Sequence, residues 1–385
     1  MRFLQSSAAR APVRGLLIAL PVVASLACTL GTLGPPPARP GPLPRASLLA
    51  VGDTGEPPGL FGLRHPARRV GEAMAAEDRY RRARALVLLG DNFYPRGLRS
   101  DRLLAQIRES IAAPFCHFLD PRSPRAAELA PACKLGPGHA PPLPILAVLG
   151  NHDYGSSGSP ERERAAIPAW IPNWELAPGV ASTRELEGGL SLIRVDSTAL
   201  LRGADPGAVV EKLESARGPW RILVLHHPVV VPGDLVPGDL AAGDAAAEGP
   251  QAPPRDPADR GRRYREAARR WLAEAAVPVQ LVVSGHEHNL ELVPLPPPLR
   301  GLQVIAGSGS RLEAAPAADR ARRFFARATP GFARIDLVGS GAGEHLEVLL
   351  FQAPDRRWPG AHRARILARW AVSRDGRVTR LGPPP

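Results

Sequence analysis

The body of the chain lacks any apolar run long enough for a membrane-spanning helix. Such a helix needs about 20 consecutive apolar residues, and none follows the amino-terminal segment, which excludes a multi-pass membrane protein. Heptad repeats are also missing. Proline, at 45 residues, and glycine, at 38, are abundant in this chain of 385 and argue against an all-helical bundle. The length predicts one large domain or two modest ones, with long loops between short elements.

Lysine is scarce as well. Lys134 and Lys212 are the two lysines, so arginine carries the formal net charge of +12. A basic excess invites a nucleic-acid hypothesis, but the arginines are scattered, and no basic stripe interleaved with aromatic residues occurs. We therefore expect solvated basic faces without specific nucleic-acid binding. Such a surface would still suit a phosphorylated substrate.

Residues 1–28 are typical of an export signal. Three arginines precede an apolar run at residues 15–27, and no acidic residue occurs before Asp53. The sequence around Cys28 resembles part of a bacterial lipobox, with Ser25 in place of the usual aliphatic residue. We expect an exported protein that is periplasmic, extracellular or anchored to the membrane by a lipid on Cys28. An uncleaved anchor and a misassigned start codon are the alternatives.

The signal is followed by a predicted tether and then by the folded domain. Residues 29–45 are rich in proline and glycine, which favours a tether, and the domain is predicted to occupy residues 46–385. Beyond Cys28, the cysteines are Cys116 and Cys133. In an exported protein they would meet oxidants, which predicts a disulfide between them. Two free buried thiols are the alternative.

Five short apolar runs end in polar side chains. The first, at residues 46–51, is closed by Gly52 and Asp53, which indicates a buried strand. The others end in Gly90-Asp91-Asn92-Phe93-Tyr94, Gly150-Asn151-His152-Asp153, His226-His227-Pro228 and Gly285-His286-Glu287-His288. Ligands bind at the carboxyl edge of the strands in open α/β sheets, so we expect these polar groups to converge.

The segments between and after these runs predict the rest of the domain. Helical patterns at residues 70–84 and after Ser100, which could cap its helix, alternate with the runs and predict a layered α/β domain. Residues 232–260 are low in complexity and predict a mobile loop beside the site. From about residue 332, apolar stretches separated by turn residues predict antiparallel strands that build a second sheet.

The groups at the strand ends are those that hard and borderline cations bind: carboxylate, amide oxygen, imidazole and one phenol. They are Asp53, Asp91, Tyr94, Asn151, His226, His286 and His288. Seven groups are too many for one ion, whereas two ions about 3.5 to 4 Å apart would use them all and suit displacement at phosphorus. Each motif alone is more often a turn or a structural histidine, but their joint occurrence favours a metal site.

In this order, the five motifs resemble those of calcineurin-like metallophosphoesterases. That superfamily generally has Asp-x-His in the first motif, whereas this chain has Asp53-Thr54-Gly55 and adds Tyr94 three residues after Asp91. The exchange resembles purple acid phosphatases, especially the small tartrate-resistant type. The resemblance covers about residues 46–310. It implies an α/β fold in which a layered β-sandwich of two mixed sheets is flanked by helices.

The same resemblance implies a dinuclear metal centre. Asp53, Asp91, Tyr94 and His288 would hold a ferric ion, and Asp91, Asn151, His226 and His286 would hold a divalent ion of iron, zinc or manganese. Asp91 would be the bridge. A phenolate is a hard anionic ligand that a trivalent ion can recruit. Such an ion should acidify bound water more than zinc does, which predicts activity at acidic pH.

The implied activity is that of an acid phosphatase, in which a metal-bound hydroxide attacks a phosphate monoester. His152 is predicted to bind the phosphate or to protonate the leaving alkoxide, with Asp153 accepting a hydrogen bond from its ring. Alternatively, His152 orients Asn151 or Asp153. Purple acid phosphatases usually carry another substrate-binding histidine after the His-x-Pro motif, but residues 229–240 contain none. Side-chain alternation predicts that His227 faces away from the site.

Two further hypotheses stay open at this point. The same fold and metals could hydrolyse a phosphodiester, a nucleotide or a phospholipid headgroup. A noncatalytic binding protein with a vestigial metal centre is the third hypothesis, and it is disfavoured because a binding role requires no set of seven ligands. The substrate is expected to be a phosphorylated small molecule or protein, and the oligomeric state is left undetermined.

Overall fold

The described part of the chain covers most of the predicted domain. The computed structural model describes residues 43–58, 65–136, 139–232, 257–314, 323–355 and 364–382, and every element in these ranges belongs to one compact unit, Pro40–Pro385. The predicted export signal, nearly all of the predicted tether and residues 233–256 of the predicted loop lie outside the described residues. The last residues of that predicted loop belong to a helix that begins at Pro257.

The strands are short, and most are buried. In chain order they are β1 Ala46–Val51, β2 Ala85–Leu88, β3 Ile145–Ala147, β4 Trp174–Leu176, β5 Ala181–Leu186, β6 Leu190–Val195, β7 Trp220–Val224, β8 Leu281–Ser284, β9 Leu290–Pro294, β10 Leu302–Ala306, β11 Phe325–Arg327, β12 Gly331–Val338, β13 His345–Gln352, β14 Arg365–Ser373 and β15 Val378–Arg380. All five runs predicted to be strands form β1, β2, β3, β7 and β8.

The strands form two mixed sheets. One has the order β15-β14-β13-β12-β1-β2-β3-β4, and the other has the order β11-β9-β10-β8-β7-β6-β5. Strands β1 to β4 are parallel, and so are β6, β7, β8 and β10. Each of the remaining strands runs antiparallel to the strands beside it. With helices on the outer faces, this is the expected sandwich of two mixed sheets, and the predicted fold class is confirmed.

The prediction that the carboxyl-terminal strands build a second sheet is wrong. Strand β12 pairs antiparallel with β1, with Leu48 opposite Ile335, so β12 to β15 extend the sheet that already contains β1, β2 and β3. The reason is that β1 is buried along its whole length and β2 satisfies only one of its edges. A central strand needs a hydrogen-bonded neighbour on each side, and β12 supplies the second neighbour.

Alternate side chains of β1 pack into two different hydrophobic cores. Leu48 and Ala50 point into the layer between the sheets, where they pack in one cluster with Val224 of β7. Leu49 and Val51 point outward and pack under the helices beside the first sheet. Because both faces are covered, the strand is a continuous apolar run, as its sequence predicts.

The helices lie on the outer faces of the two sheets. They are α1 Pro66–Tyr80, α2 Leu103–Gln106, α3 Ala113–Phe115, α4 Ala126–Leu129, α5 Ser159–Ala165, α6 Ser197–Leu201, α7 Gly207–Glu214 and α8 Pro257–Glu274. Residues of α1 pack against the first sheet, and residues of α7 and α8 pack against the second. None of the helices in the described ranges is long and apolar enough to cross a membrane.

The helical segment after Ser100 is less regular than predicted. A 3-10 turn at Ser100–Arg102 precedes α2, and a π-helical stretch at Ile107–Ala112 separates α2 from α3. The N-cap residues of the 3-10 turn and of α2 are Arg99 and Arg102 rather than Ser100, and neither side chain makes a capping hydrogen bond. Pro114, which has no N–H to donate, interrupts the ladder of hydrogen bonds.

A disulfide closes the region that follows α3. It joins Cys116 to Cys133 across a sequence separation of 17 residues, and the predicted pairing is therefore confirmed. Cys133 is buried in the core under the first sheet. The bridge therefore ties the segment after α4 to the helical layer that covers this sheet.

Candidate metal centre

The candidate site lies where strand ends from both sheets meet. Strands β1, β2 and β3 of one sheet lead into Asp53, Asp91 and Asn151, and strands β7 and β8 of the other lead into His226 and His286. The backbone N–H of His286 donates to Asp53 Oδ2 at 2.9 Å, which joins the two sheets directly. The polar groups thus converge as expected, although at the edges of two sheets rather than of one.

Tyr94 is at the centre of the first group of predicted ligands. Its hydroxyl donates to Asp53 Oδ1 at 3.0 Å and to Asp91 Oδ2 at 2.7 Å, and it lies 3.3 Å from His288 Nε2. His288 Nδ1 is 3.1 Å from Glu313 Oε1. A hydrogen bond donated from Nδ1 to Glu313 leaves the lone pair of Nε2 facing the site.

The second group surrounds Nε2 of His226. This atom lies 3.0 Å from Asn151 Oδ1, 3.2 Å from His286 Nδ1 and 3.5 Å from Asp91 Oδ1. His226 Nδ1 lies 2.9 Å from the carbonyl oxygen of Leu89. Donation to that carbonyl places the proton on Nδ1 and leaves Nε2 free to bind a cation.

Asp91 connects the two groups, because each of its carboxylate oxygens faces a different one. The first group is Asp53, Asp91, Tyr94 and His288, and the second is Asp91, Asn151, His226 and His286. The ligand atoms of Asp53, Asp91 and His226 lie within 4.8 Å of one another. The structure therefore brings all seven predicted side chains together, in two groups that share Asp91.

The backbone at the site is held in an unusual conformation. Among the described residues, the non-glycine residues with positive φ are Asp53 at 58°, Asp91 at 53° and His286 at 68°. Such residues cost of order 1–3 kcal/mol each and cluster at functional sites. Close packing adds a second constraint, because a Cβ on Gly150 would lie 2.2 Å from Asp91 Oδ1. Only glycine allows the third strand end to approach this carboxylate.

The donor chemistry fits a pair of cations. Burial, followed by the charges of Asp53 and Asp91, raises the pKa of Tyr94 far above its ordinary value, so strong nearby positive charge would be needed to make it a phenolate. Burial, with the neighbouring His226, lowers the pKa of His286 to about 3, which keeps its ring neutral and able to ligate. The hydrogen bond to Asp53 raises the pKa of His288 to about 9, so a cation there would compete with a proton.

His152 and Asp153 have different surroundings from each other. His152 Nδ1 lies 2.7 Å from the carbonyl oxygen of Pro95, which directs Nε2 toward Asp91 Oδ2 at 4.0 Å. Its side chain is 31% exposed, so a substrate can reach it.

Asp153 does not bond to the His152 ring as expected. It is buried and accepts hydrogen bonds from the backbone N–H groups of Gly150 at 2.8 Å, Asn92 at 3.2 Å and Phe93 at 3.0 Å. The Asp153 carboxylate points into the protein interior because these N–H groups follow β2 and β3 and would otherwise lack hydrogen-bond partners. Asp153 therefore joins the backbones of two ligand loops.

The comparison with known families agrees with this arrangement. The model of the family described as calcineurin-like phosphoesterase matches residues 46–290, a range that contains β1 to β8 and the seven converging side chains. The chain belongs to the calcineurin-like phosphoesterase family. No curated protein sequence matches the chain.

Solved structures with a similar fold have low sequence identity to this chain. GAP50, the anchor in the inner membrane complex of Plasmodium, has a TM-score of 0.52 and 15% identity and covers 88% of this chain and 89% of its own. PhoD has a TM-score of 0.53 and 12% identity, with coverages of 91% and 74%. The purple acid phosphatase PPD1 from yellow lupin seeds has a TM-score of 0.46 and 14% identity, with coverages of 80% and 51%.

His227 occupies an unexpected position in this calcineurin-like phosphoesterase. Its ring was predicted to face away, but it lies with its centroid 4.5 Å from that of His286, and its Nδ1 is 2.9 Å from Ser197 Oγ. The chain bends at residues 226 and 227, so the alternation of an extended strand does not apply. Nitrogen atoms of His226, His227 and His286 approach within 4.8 Å of one another.

Two residues after β10 also reach the site and were missed from the sequence. Glu313 Oε1 lies 3.1 Å from His288 Nδ1. Arg311 lies over the ring of Tyr94, with its Cζ 4.3 Å from the ring centroid. The sequence signal available was the Gly307-Ser308-Gly309 segment before them. Its glycines allow close backbone approach, since Gly309 N donates to Gly52 O at 3.2 Å.

Proposed function

We propose that this protein is a dinuclear-metal phosphatase that hydrolyses phosphate monoesters. Membership of the calcineurin-like phosphoesterase family supports a phosphoester hydrolase. The observation that carries the proposal is the position of Asp91, whose Oδ2 lies 2.7 Å from the Tyr94 hydroxyl and whose Oδ1 lies 3.5 Å from His226 Nε2. One carboxylate between two sets of donors is what a pair of cations requires.

Tyr94 supports a ferric ion in the first set. It has a buried phenol between two carboxylates, and a hard trivalent cation is the partner that would stabilise its phenolate. The second set contains two imidazoles and an amide oxygen, which suit a divalent ion of iron, zinc or manganese. Such a pair of cations, when bound, would neutralise charge on the phosphate and make water acidic enough to act as a nucleophile at low pH.

The chain itself supplies the group that would handle the leaving oxygen. Pro95 holds the His152 ring so that its Nε2 faces Asp91, and the ring remains partly exposed. A protonated Nε2 in this position can hydrogen-bond the phosphate or donate its proton to the departing alkoxide. Asp153 holds the Gly150 backbone through the hydrogen bond from its N–H, which keeps His152 at the rim of the site.

Metal analysis and two substrates test the proposal. The purified, oxidised protein is expected to contain iron with a second metal, to absorb visible light and to hydrolyse p-nitrophenyl phosphate faster than bis(p-nitrophenyl) phosphate. Faster hydrolysis of the bis ester would instead favour the phosphodiesterase hypothesis. Protein that contains both metals yet hydrolyses neither ester would favour the noncatalytic binding hypothesis.

We also propose that the protein is exported, with Cys28 as a site for a lipid anchor. The Cys116–Cys133 disulfide supports an oxidising compartment. Fractionation of producing cells is expected to find the protein outside the cytoplasm and on the membrane, and Cys28→Ser is expected to release it from the membrane. A wild-type protein recovered from the cytoplasm would contradict the export proposal.

A further inference from the structure

We propose that Arg311 binds the substrate phosphate and makes the site prefer dianionic monoesters over monoanionic diesters. This inference rests on the proposed function and names its substrate class. Arg311 is not among the predicted ligands or catalytic residues. It follows β10, in a segment that contacts the loop of Asp53.

The backbone of this segment is attached to the loop of a predicted ligand. Gly309 N donates to Gly52 O at 3.2 Å, and the Ser310 hydroxyl donates to the carbonyl oxygen of Asp53. Ser310 Oγ also accepts from the backbone N–H of Glu56 at 3.4 Å. Because the residues before Arg311 are bonded on both sides of Asp53, the position of Arg311 relative to this carboxylate is defined by the backbone.

The guanidinium is oriented by two contacts. Its Nε donates to Glu56 Oε2 at 2.5 Å, and its Cζ lies over the Tyr94 ring, 4.3 Å from the centroid. Among the described residues, the hydrogen bonds of Arg311 go to Glu56, so its terminal N–H groups are left for a ligand. The side chain is 37% exposed and is therefore accessible.

The Tyr94 ring places Arg311 beside the chemistry. The hydroxyl of this tyrosine bonds to Asp53 and Asp91, and His152 packs against the same ring at a centroid distance of 4.3 Å. Arg311 and His152 thus contact one aromatic ring whose hydroxyl belongs to the metal set. A phosphate bound beside the Tyr94 ring would contact the planar guanidinium of Arg311, which can donate two parallel hydrogen bonds to the phosphate oxygens.

The charge of the substrate determines how strongly Arg311 attracts the phosphate. Above the second pKa of the phosphate, about 6, a monoester has two negative charges and three nonbridging oxygens, whereas a diester has one negative charge and two nonbridging oxygens. The attraction between Arg311 and the substrate is therefore larger for the monoester. The competing view is structural, in which Arg311 only neutralises Glu56 and packs on Tyr94. That view predicts no change in phosphate affinity when Arg311 is removed.

Arg125 offers a matched control. Like Arg311, it lies over an aromatic ring, with Cζ 3.8 Å from the centroid of Trp170, and its Nε donates to a glutamate, Glu128, at 2.6 Å. Its side chain is 42% exposed, and it contacts none of the predicted ligands in the described structure. Arg125→Ala removes the same types of contact without touching the site.

The experiment compares Arg311→Ala, Arg311→Lys and Arg125→Ala in the metal-loaded full chain. Isothermal titration with inorganic phosphate gives a readout that does not depend on turnover. Arg311→Ala is expected to weaken phosphate binding and to raise KM for p-nitrophenyl phosphate by about tenfold to a hundredfold, the usual effect of losing a hydrogen bond to a charged group. Arg311→Lys should recover part of this loss because it keeps the charge without the fork.

The outcomes separate this inference from the proposed function. Bis(p-nitrophenyl) phosphate hydrolysis should change less than monoester hydrolysis in Arg311→Ala, and an equal loss for both esters would overturn the monoester preference. Equal phosphate affinity in Arg311→Ala and Arg125→Ala, or loss of metal from Arg311→Ala, would overturn the binding role. If the wild type binds metals but hydrolyses neither ester, the proposed function fails, while the phosphate titration still decides whether Arg311 binds the anion.

Discussion

His226 Nε2 lies 3.0 Å from Asn151 Oδ1, although the two residues are 75 positions apart and follow strands of different sheets. The contact shows that the two sheets are joined through polar side chains at one end of the sandwich. Burial of carboxylates and imidazoles in this junction is costly unless they are paired or bind cations. The arrangement of charges is therefore better explained by a metal centre than by packing alone.

Asp91 and His152 are expected to differ in metal content when each is substituted. Asp91→Asn should lose both metals, because an amide cannot provide the anionic bridge between the two ligand sets. His152→Ala should keep both metals and lose about 10²- to 10⁴-fold in turnover, the usual contribution of a general acid. Elemental analysis and p-nitrophenyl phosphate hydrolysis measure the two quantities. Equal metal loss in both variants would refute this division of roles.

Asp153→Asn tests whether a buried carboxylate supports the metal centre through its hydrogen bonds to the backbone of the ligand loops. Its oxygens accept from the N–H groups of Gly150, Asn92 and Phe93, and an amide NH₂ would face one of these donors. Metal affinity is expected to fall about 10- to 100-fold, as for other partners that orient ligands. Competition with a chelator measures the affinity. Unchanged metal affinity would show that these backbone hydrogen bonds are not needed.

Tyr94→Phe tests the ferric ion. The substitution removes the hydroxyl that donates to Asp53 and Asp91 but keeps the aromatic ring. The oxidised wild type is expected to be coloured through charge transfer from the phenolate, and the variant should be colourless. Absorption spectra, with iron content measured in parallel, decide the question. A colourless oxidised wild type would contradict the ferric ion and favour a divalent pair such as manganese or zinc.

The disulfide is expected to stabilise the folded domain. Cys116 and Cys133 are 17 residues apart, and a loop of this size corresponds to about 3 kcal/mol of stabilisation through the unfolded chain. The Cys116→Ser, Cys133→Ser double variant should therefore unfold at a lower urea concentration than the wild type. Reduced wild-type protein is the control and should resemble the variant. If the double variant and the oxidised wild type share one midpoint, the bridge contributes nothing to stability.

Glu291 is expected to make stability depend on pH. Burial, opposed by Arg323 and assisted by Glu287, raises the pKa of Glu291 from 4.5 to about 7. Between these values the folded state binds more protons than the unfolded state, so the free energy of unfolding falls as pH rises. The loss would be at most roughly 3 kcal/mol.

Glu291→Gln should remove this component, because glutamine does not titrate. Urea unfolding of both proteins at pH 5 and pH 7.5 gives the difference between their free energies of unfolding at each pH. The wild type should lose stability relative to the variant on going to the higher pH. A difference that is the same at both values would show that the carboxyl does not titrate in this range.

The individual strands and the ligand types could be predicted because they depend on neighbouring residues. The apolar run before Asp53 forms β1, and the run before Asp91 forms β2, since short buried strands are recognisable from apolar side chains closed by glycine. The helix after Ser100 was predicted less well. Its pattern indicated one helix, but Pro114 and the π-helical stretch depend on hydrogen bonding that apolar spacing does not reveal.

Local sequence patterns establish which side chains stand at the strand ends, and therefore the carboxylate, imidazole, amide and phenol chemistry of the site. Tertiary structure alone decided that β12 pairs with β1, that Asp153 bonds to backbone rather than to His152, and that Arg311 lies over Tyr94. The physical reason is the range of the interactions. Strand ends follow from local patterns, whereas strand pairing and side-chain partners depend on which distant segments satisfy the remaining hydrogen bonds and apolar faces.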